Sequence, residues 1–450
     1  MNWRPTILVW LLVIVGAALA WWVSGPLATQ APEATTGPRT LLTPEELPLE
    51  RIERIVLRRG TDPEMTFVRQ GDGWIQESPF AFPMDPFSVR QLAAAALGLE
   101  SSRQIELDDL AHGSSLAALA LDPPEAVVEF VWPDGRRRID LGRLGVAGRA
   151  FVRVDGAEHV DVVGQALHER VLAMDPREWR QRRLLPETSV ECRRIEITAG
   201  DSRTVLERDE RQWRLAEPVR TRVDQAALEA YLQGVAGAQC TGFIVDQPAD
   251  FAPFGLVPPA GVLAVTCGRD GDSTRRLLVG NPIAVGGQDR FGMIEGTPAV
   301  VRLSGDTLAR LFPGAAALID PTPCGVRPED VKRIRIKGPA ADFTLERDLD
   351  VWRCPDLDNR EASPRAVANL LQQLTAARAG SIAIQPFPTE LEVGFVTLVG
   401  FDLRPLATVR VAHENESGLW ALEAGDGVLR LFPKTFDVAL DPKGYGLEAK

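Results

Sequence analysis

The side chains able to do chemistry are few in this chain, and their spacing builds no recognisable centre. Its four histidines, His112, His159, His168 and His413, include no two at metal-ligand spacing. In "LHERVL", residues 167–172, His168 precedes Glu169, but the second histidine of a zinc-protease helix is missing, so His168 reads as a solvated helix residue. The five cysteines, Cys192, Cys240, Cys267, Cys324 and Cys354, form no C-x-x-C pair, which argues against zinc and redox motifs. Outside the cytoplasm they allow one or two disulfides with at least one thiol left over, and spacing leaves the connectivity open. "VGNPIAVGGQDRFG", residues 279–292, lacks both the Walker lysine and G-x-G-x-x-G, and reads as a hairpin loop. "GRDGDS", residues 268–273, lacks the glutamate that closes a calcium loop and reads as a turn. Asp108-Asp109 and Glu45-Glu46 are neighbours in sequence, whereas a glycosidase pair must converge in space. No catalytic, cofactor-binding or metal residue is assigned, and the expectation is a protein that is not an enzyme and carries no cofactor.

The elements around these residues are written three times. "VLERDERQWRLAEP", residues 205–218, returns as "TLERDLDVWRCPDL", residues 344–357, and Trp74, Trp213 and Trp352 stand 139 residues apart. Ahead of each tryptophan lie alternating apolar residues (Ile52, Ile55 and Leu57; Ile195 and Ile197; Ile334 and Ile336), the pattern of a half-buried strand. A second strand passes through Phe67, Leu206 or Leu345, with turns at Arg59-Gly60, Gly200-Asp201 and Gly338-Pro339 making hairpins. Eleven residues after each tryptophan stand Asp85, Asp224 and Ser363, types whose oxygens cap a helix start. Apolar residues then recur at helical spacing: Val89, Leu92, Ala93, Ala96; Leu228, Tyr231, Leu232, Val235; Val367, Leu370, Leu371, Leu374.

The second half of each copy is more divergent. "LDPPEAVVEFVWPDGRRRIDLG" resembles "LVPPAGVLAVTCGRDGDSTRRLLVG", with Asp134-Gly135 and Asp270-Gly271 as tight turns. "AFVRVDGAEHVDVVGQALHERVL" parallels "RFGMIEGTPAVVRLSGDTLARLF" as two strands and a closing helix, and the third copy is the least regular. The expected class is α+β, with an N-terminal transmembrane helix followed by three divergent repeats of β-hairpin/helix modules. The expected boundaries are an anchor over 1–23, a tether over 24–47, and modules over 48–184, 185–324 and 325–450. A chain of 450 residues agrees with three domains on a prior of roughly 150 residues each.

Hydrophobic content of 45% and charged content of 25% are those of a folded protein. The net charge of −12, without a long Lys/Arg run, argues against nucleic acid as partner. "ILVWLLVIVGAALAWWV", residues 7–23, is a run of 17 uncharged residues, near the lower limit for crossing a bilayer. Arg4 precedes it and the next charge is Glu33, which places the N-terminus in the cytoplasm and the body outside. A cleaved signal peptide is the competing reading, through Ala18-Leu19-Ala20, although Trp21, Trp22 and Val23 continue the apolar run. Either way the body is exported, and the expected location is the bacterial inner membrane, single-pass, with the C-terminal body in the periplasm or cell exterior. Residues 24–47, rich in Pro, Thr, Ala and Gly, read as a semi-extended tether.

Taken together, the N-terminal apolar run, "IxxIxI", "LER", a Trp followed by Pro, the capped helix and Phe254-Gly255-Leu256-Val257-Pro258-Pro259 resemble the bacterial domain of unknown function 4340 family. The resemblance covers residues 48–450 and brings no catalytic residues with it. It implies a membrane-associated protein encoded near gliding-motility-type ABC transporters. The expected function is therefore a non-enzymatic extracytoplasmic scaffold or accessory subunit of an ABC-type transporter system, touching the membrane through residues 7–23. A lipid-, glycan- or peptidoglycan-binding protein is the alternative, and an envelope hydrolase the third reading.

Overall fold

The computed structural model describes residues 39–107, 115–210, 212–268 and 273–447. The chain divides at Arg180/Gln181 into two compact units, the first holding one module and the second holding two. Module one opens with a meander of four strands, Arg54–Arg59, Met65–Gln70, Gly73–Ser78 and Phe82–Met84, followed by the helix Pro86–Leu97. After the edge strand Arg103–Glu106, a second meander runs through Ala126–Trp132, Gly135–Leu144, Arg149–Val154 and His159–Gly164. The first strands of the two meanders pair in the middle of one nine-stranded antiparallel sheet. The strand after the helix pairs at the far edge, beside His159–Gly164. Modules two and three each build a nine-stranded sheet with the same order of strands.

Period-two alternation explains these strands, since every second residue faces the core. Ile55, Leu57, Ile195, Ile197, Ile334 and Ile336 are buried, as are Phe67, Leu206 and Leu345 on the neighbouring strand. Trp74, Trp213 and Trp352 are buried to nearly the same degree, at 8%, 5% and 8% exposure. Each helix is stopped on its N-terminal side by the expected cap. Asp85 accepts from the amides of Phe87 and Ser88, Asp224 from those of Ala226 and Ala227, and Ser363 from that of Ala366. The apolar stripes of the three helices are buried as their spacing requires. A further shared link lies beyond the reach of local pattern. The amides of Asp85, Asp224 and Ser363 donate to the carbonyls of Trp179, Leu318 and Tyr445, at 2.8, 3.0 and 2.9 Å. The last turn of each module thus returns to the start of its own helix.

Three expectations need correction. The class is predominantly antiparallel β rather than α+β, because most of each module is its nine-stranded sheet and the main helix covers only 12 or 13 residues. The expected N-terminal transmembrane helix finds no support. Among the described residues no helix is long and apolar enough to cross a membrane, and residues 7–23 lie outside them. The tether does not extend to residue 47. Arg39–Thr40 pairs with Glu100–Ser101, and Leu42 and Leu47 are buried in the core of module one. Between them, Glu46 accepts from the amide of Thr43, closing a local turn.

Modules two and three share apolar packing. Val428, from a strand of module three, is fully buried within the core of module two, with Ile382 and Ile384 packed beside it.

Candidate ligand-binding cleft

The reactive residues of the sequence stay apart in the structure. His159 lies 3.4 Å from Asp161, and His413 is tilted against Trp420 with ring centroids 4.4 Å apart. His168 is not solvated. It is fully buried, its Nε2 3.2 Å from the Phe151 carbonyl, and burial holds its pKa below the ordinary value. His112 and Asp108-Asp109 lie outside the described residues. Cys192 and Cys267 form a disulfide within module two. Cys240, Cys324 and Cys354 are buried and stand outside that disulfide, and burial pushes the thiols of Cys324 and Cys354 upward, away from the reactive thiolate. Among the described residues no three His, Cys, Asp or Glu side chains gather as metal ligands.

Polar side chains do converge where module three meets module two. Arg430 is fully buried and grips both oxygens of Asp426, at 2.8 and 3.1 Å. Its Nε donates to the Asp320 carbonyl at 3.0 Å, tying the pair to the segment that connects the modules. Thr221 of module two donates its hydroxyl to the same Asp426 carboxylate. Burial would raise the Asp426 pKa, but the hydrogen bonds from Arg430 and Thr221 and the charges of Arg430 and Arg222 hold it below the usual carboxylate range. Arg222 donates to Asp320 and to the Thr322 carbonyl, both at 2.9 Å. Arg378 of module three reaches Asp224, the helix cap of module two, at 2.5 Å. Here too burial would raise the carboxyl, and the Arg378 contact together with the helix amides lowers it.

Of these groups Thr221, Arg222, Asp320 and Asp426 line a cleft of about 560 Å³, a size that suits a small ligand. Arg214, Arg220 and Arg222 line it together with Asp320 and Asp426. Both carboxylates are already engaged, by Arg222 and Arg430 respectively. Arg214 and Arg220 line the cleft without an ion pair among the described residues. No site residue was assigned from sequence, so this cleft was missed. One signal for it was present, because strand register places Arg222 where module three carries Glu361.

Residues 74–214 and 213–393 match a family model described as "Domain of unknown function (DUF4340)". The two segments begin at the equivalent tryptophans Trp74 and Trp213, so the match follows the internal repeat. No curated protein matches the chain.

Proposed function

Since the chain belongs to the DUF4340 family, and repeats one β module without repeating a reactive cluster, we propose that it is a non-catalytic extracytoplasmic accessory subunit that binds protein partners. The observation that carries this reading is the use of polar groups at the joint of modules two and three. Arg430, Asp426, Thr221, Arg222 and Asp320 hold one another, and none is left as an unengaged acid beside a base. Such a network fixes the relative placement of two modules, which is what a scaffold requires. The disulfide Cys192–Cys267 supports an oxidising location, outside the cytoplasm. The resemblance supplies the partner class, an ABC-type transporter system.

A ligand-binding role is the second reading, and the cleft of about 560 Å³ favours it. The test of the non-catalytic reading is a direct one. The purified full chain is incubated with peptidoglycan, with phospholipid and with model esters, and products are followed by mass spectrometry. No turnover above the buffer blank is expected. Hydrolysis that disappears on substitution of cleft residues would overturn the reading.

A further inference from the structure

The exposed face of each sheet carries a row of four residues, one on each strand of the first meander, placed opposite one another by the strand register. In module three the row is Arg333, Glu346, Arg353, Glu361, and the charges alternate. In module one it is Arg54, Val68, Ile75, Pro83, with a single charge. Module two reads Arg194, Glu207, Arg214, Arg222. Its last pair sets two arginines directly across from each other, an arrangement that destabilises a sheet.

No neighbouring carboxylate among the described residues is left to pair with Arg214. Glu207, on the other side of Arg214, is ion-paired to Arg194, and Asp320 is held by Arg222. Arg220, two residues before Arg222, adds a third guanidinium to the cleft lining. Of these, Arg214 and Arg220 are solvent-exposed and have no acidic partner among the described residues. A cleft with two uncompensated positive charges stands out in a chain of net charge −12.

We propose that this cleft is a binding site for a phosphate-bearing ligand, held by Arg214 and Arg220 with Arg222 beside them. Two unpaired guanidinium groups match a phosphate monoester, which carries about −1.5 to −2 charges at neutral pH, better than they match a single carboxylate. The cleft exceeds inorganic phosphate in size, leaving room for the group the phosphate is attached to. Bound phosphate would also screen the Arg214/Arg222 repulsion, so occupancy and the stability of module two should rise together.

The test is calorimetric titration of the full chain with pyrophosphate and with glycerol 3-phosphate at low salt, beside flotation with phosphatidylcholine vesicles that contain or lack phosphatidic acid, a lipid phosphate monoester. Saturable binding is expected, weakened at least tenfold in the Arg214→Ala/Arg220→Ala double variant. Both residues are exposed, and melting without ligand at or above that of the parent verifies that the variant folds, since Arg214→Ala removes one of the two opposed arginines. Arg353→Ala, which alters the alternating row of module three, should leave binding within twofold of the parent. Binding of the soluble probes alone identifies a soluble phosphorylated ligand, and flotation with phosphatidic acid that the double variant loses identifies a lipid headgroup. Absence of binding in every arm overturns the proposal, as does equal weakening by Arg353→Ala or full affinity in the double variant.

Discussion

Arg430 and Asp426 form a two-toothed ion pair inside the joint between modules two and three, with the arginine 0% exposed. The pair stands four residues apart on one turn and strand of module three, yet its remaining bonds reach Thr221 and Asp320. Removing either member strands a buried charge. Arg430→Ala should therefore cost about 3–5 kcal/mol in urea unfolding. Arg353→Ala, on the exposed face of the same module, should cost less than about 1 kcal/mol. Equal losses for the two would contradict the role given to the joint.

Module one should be sensitive to mild acid. His168 is neutral and buried, with its pKa below the ordinary 6.5. Between that value and the lower native pKa, the unfolded chain binds a proton that the native chain does not. Stability is thus complete above about pH 6.5 and declines as pH falls toward the native pKa. The equivalent position in module two is Leu308, so His168→Leu is the natural probe. Its urea midpoint should vary less between pH 7 and pH 5 than that of the parent, and an unchanged pH dependence would rule out His168 as the source.

The cysteines give a countable prediction. The native protein should show almost no reaction with a thiol reagent, because Cys240, Cys324 and Cys354 are buried. Denaturation without reductant should expose three thiols, and reduction should expose five. Breaking Cys192–Cys267, which closes a separation of 75 residues, should cost about 2–5 kcal/mol. Five reactive thiols in the unreduced denatured chain would contradict the pairing.

The segment before module one should behave as part of its core. Leu47 is fully buried, so Leu47→Ala should cost about 2–5 kcal/mol. A chain starting at Arg39 should melt well above one starting at Pro48, which lacks Leu42, Leu47 and the pairing of Arg39–Thr40. Identical melting would return these residues to the tether.

The contrast between what was legible in sequence and what was not follows the range of the interactions. Hairpins, caps and helix stripes are set within a few residues, so Asp85, Asp224, Ser363 and the spaced tryptophans announced them. The position of the edge strand and the assembly of the nine-stranded sheet depend on pairings across a whole module, for which local periodicity has no signal. Thr221 and Asp426 meet across 205 residues, and no spacing rule connects them. His168 was misread because a histidine beside Glu169 looks solvated, although alignment with Leu308 marks an apolar position. Leu42 and Leu47 were overlooked within a Pro/Thr-rich stretch, where the Thr43 to Glu46 spacing was the available sign of a fixed turn.

The measurement that bears most directly on the accessory role is quantitative crosslinking in the native host, followed by mild-detergent purification and mass spectrometry of the crosslinked peptides. The account predicts that subunits of an ABC-type transporter are linked to this chain at defined residues of the three modules, at a yield above that of abundant envelope proteins. Recovery of the chain linked only to itself, under conditions that capture known envelope complexes, would contradict it.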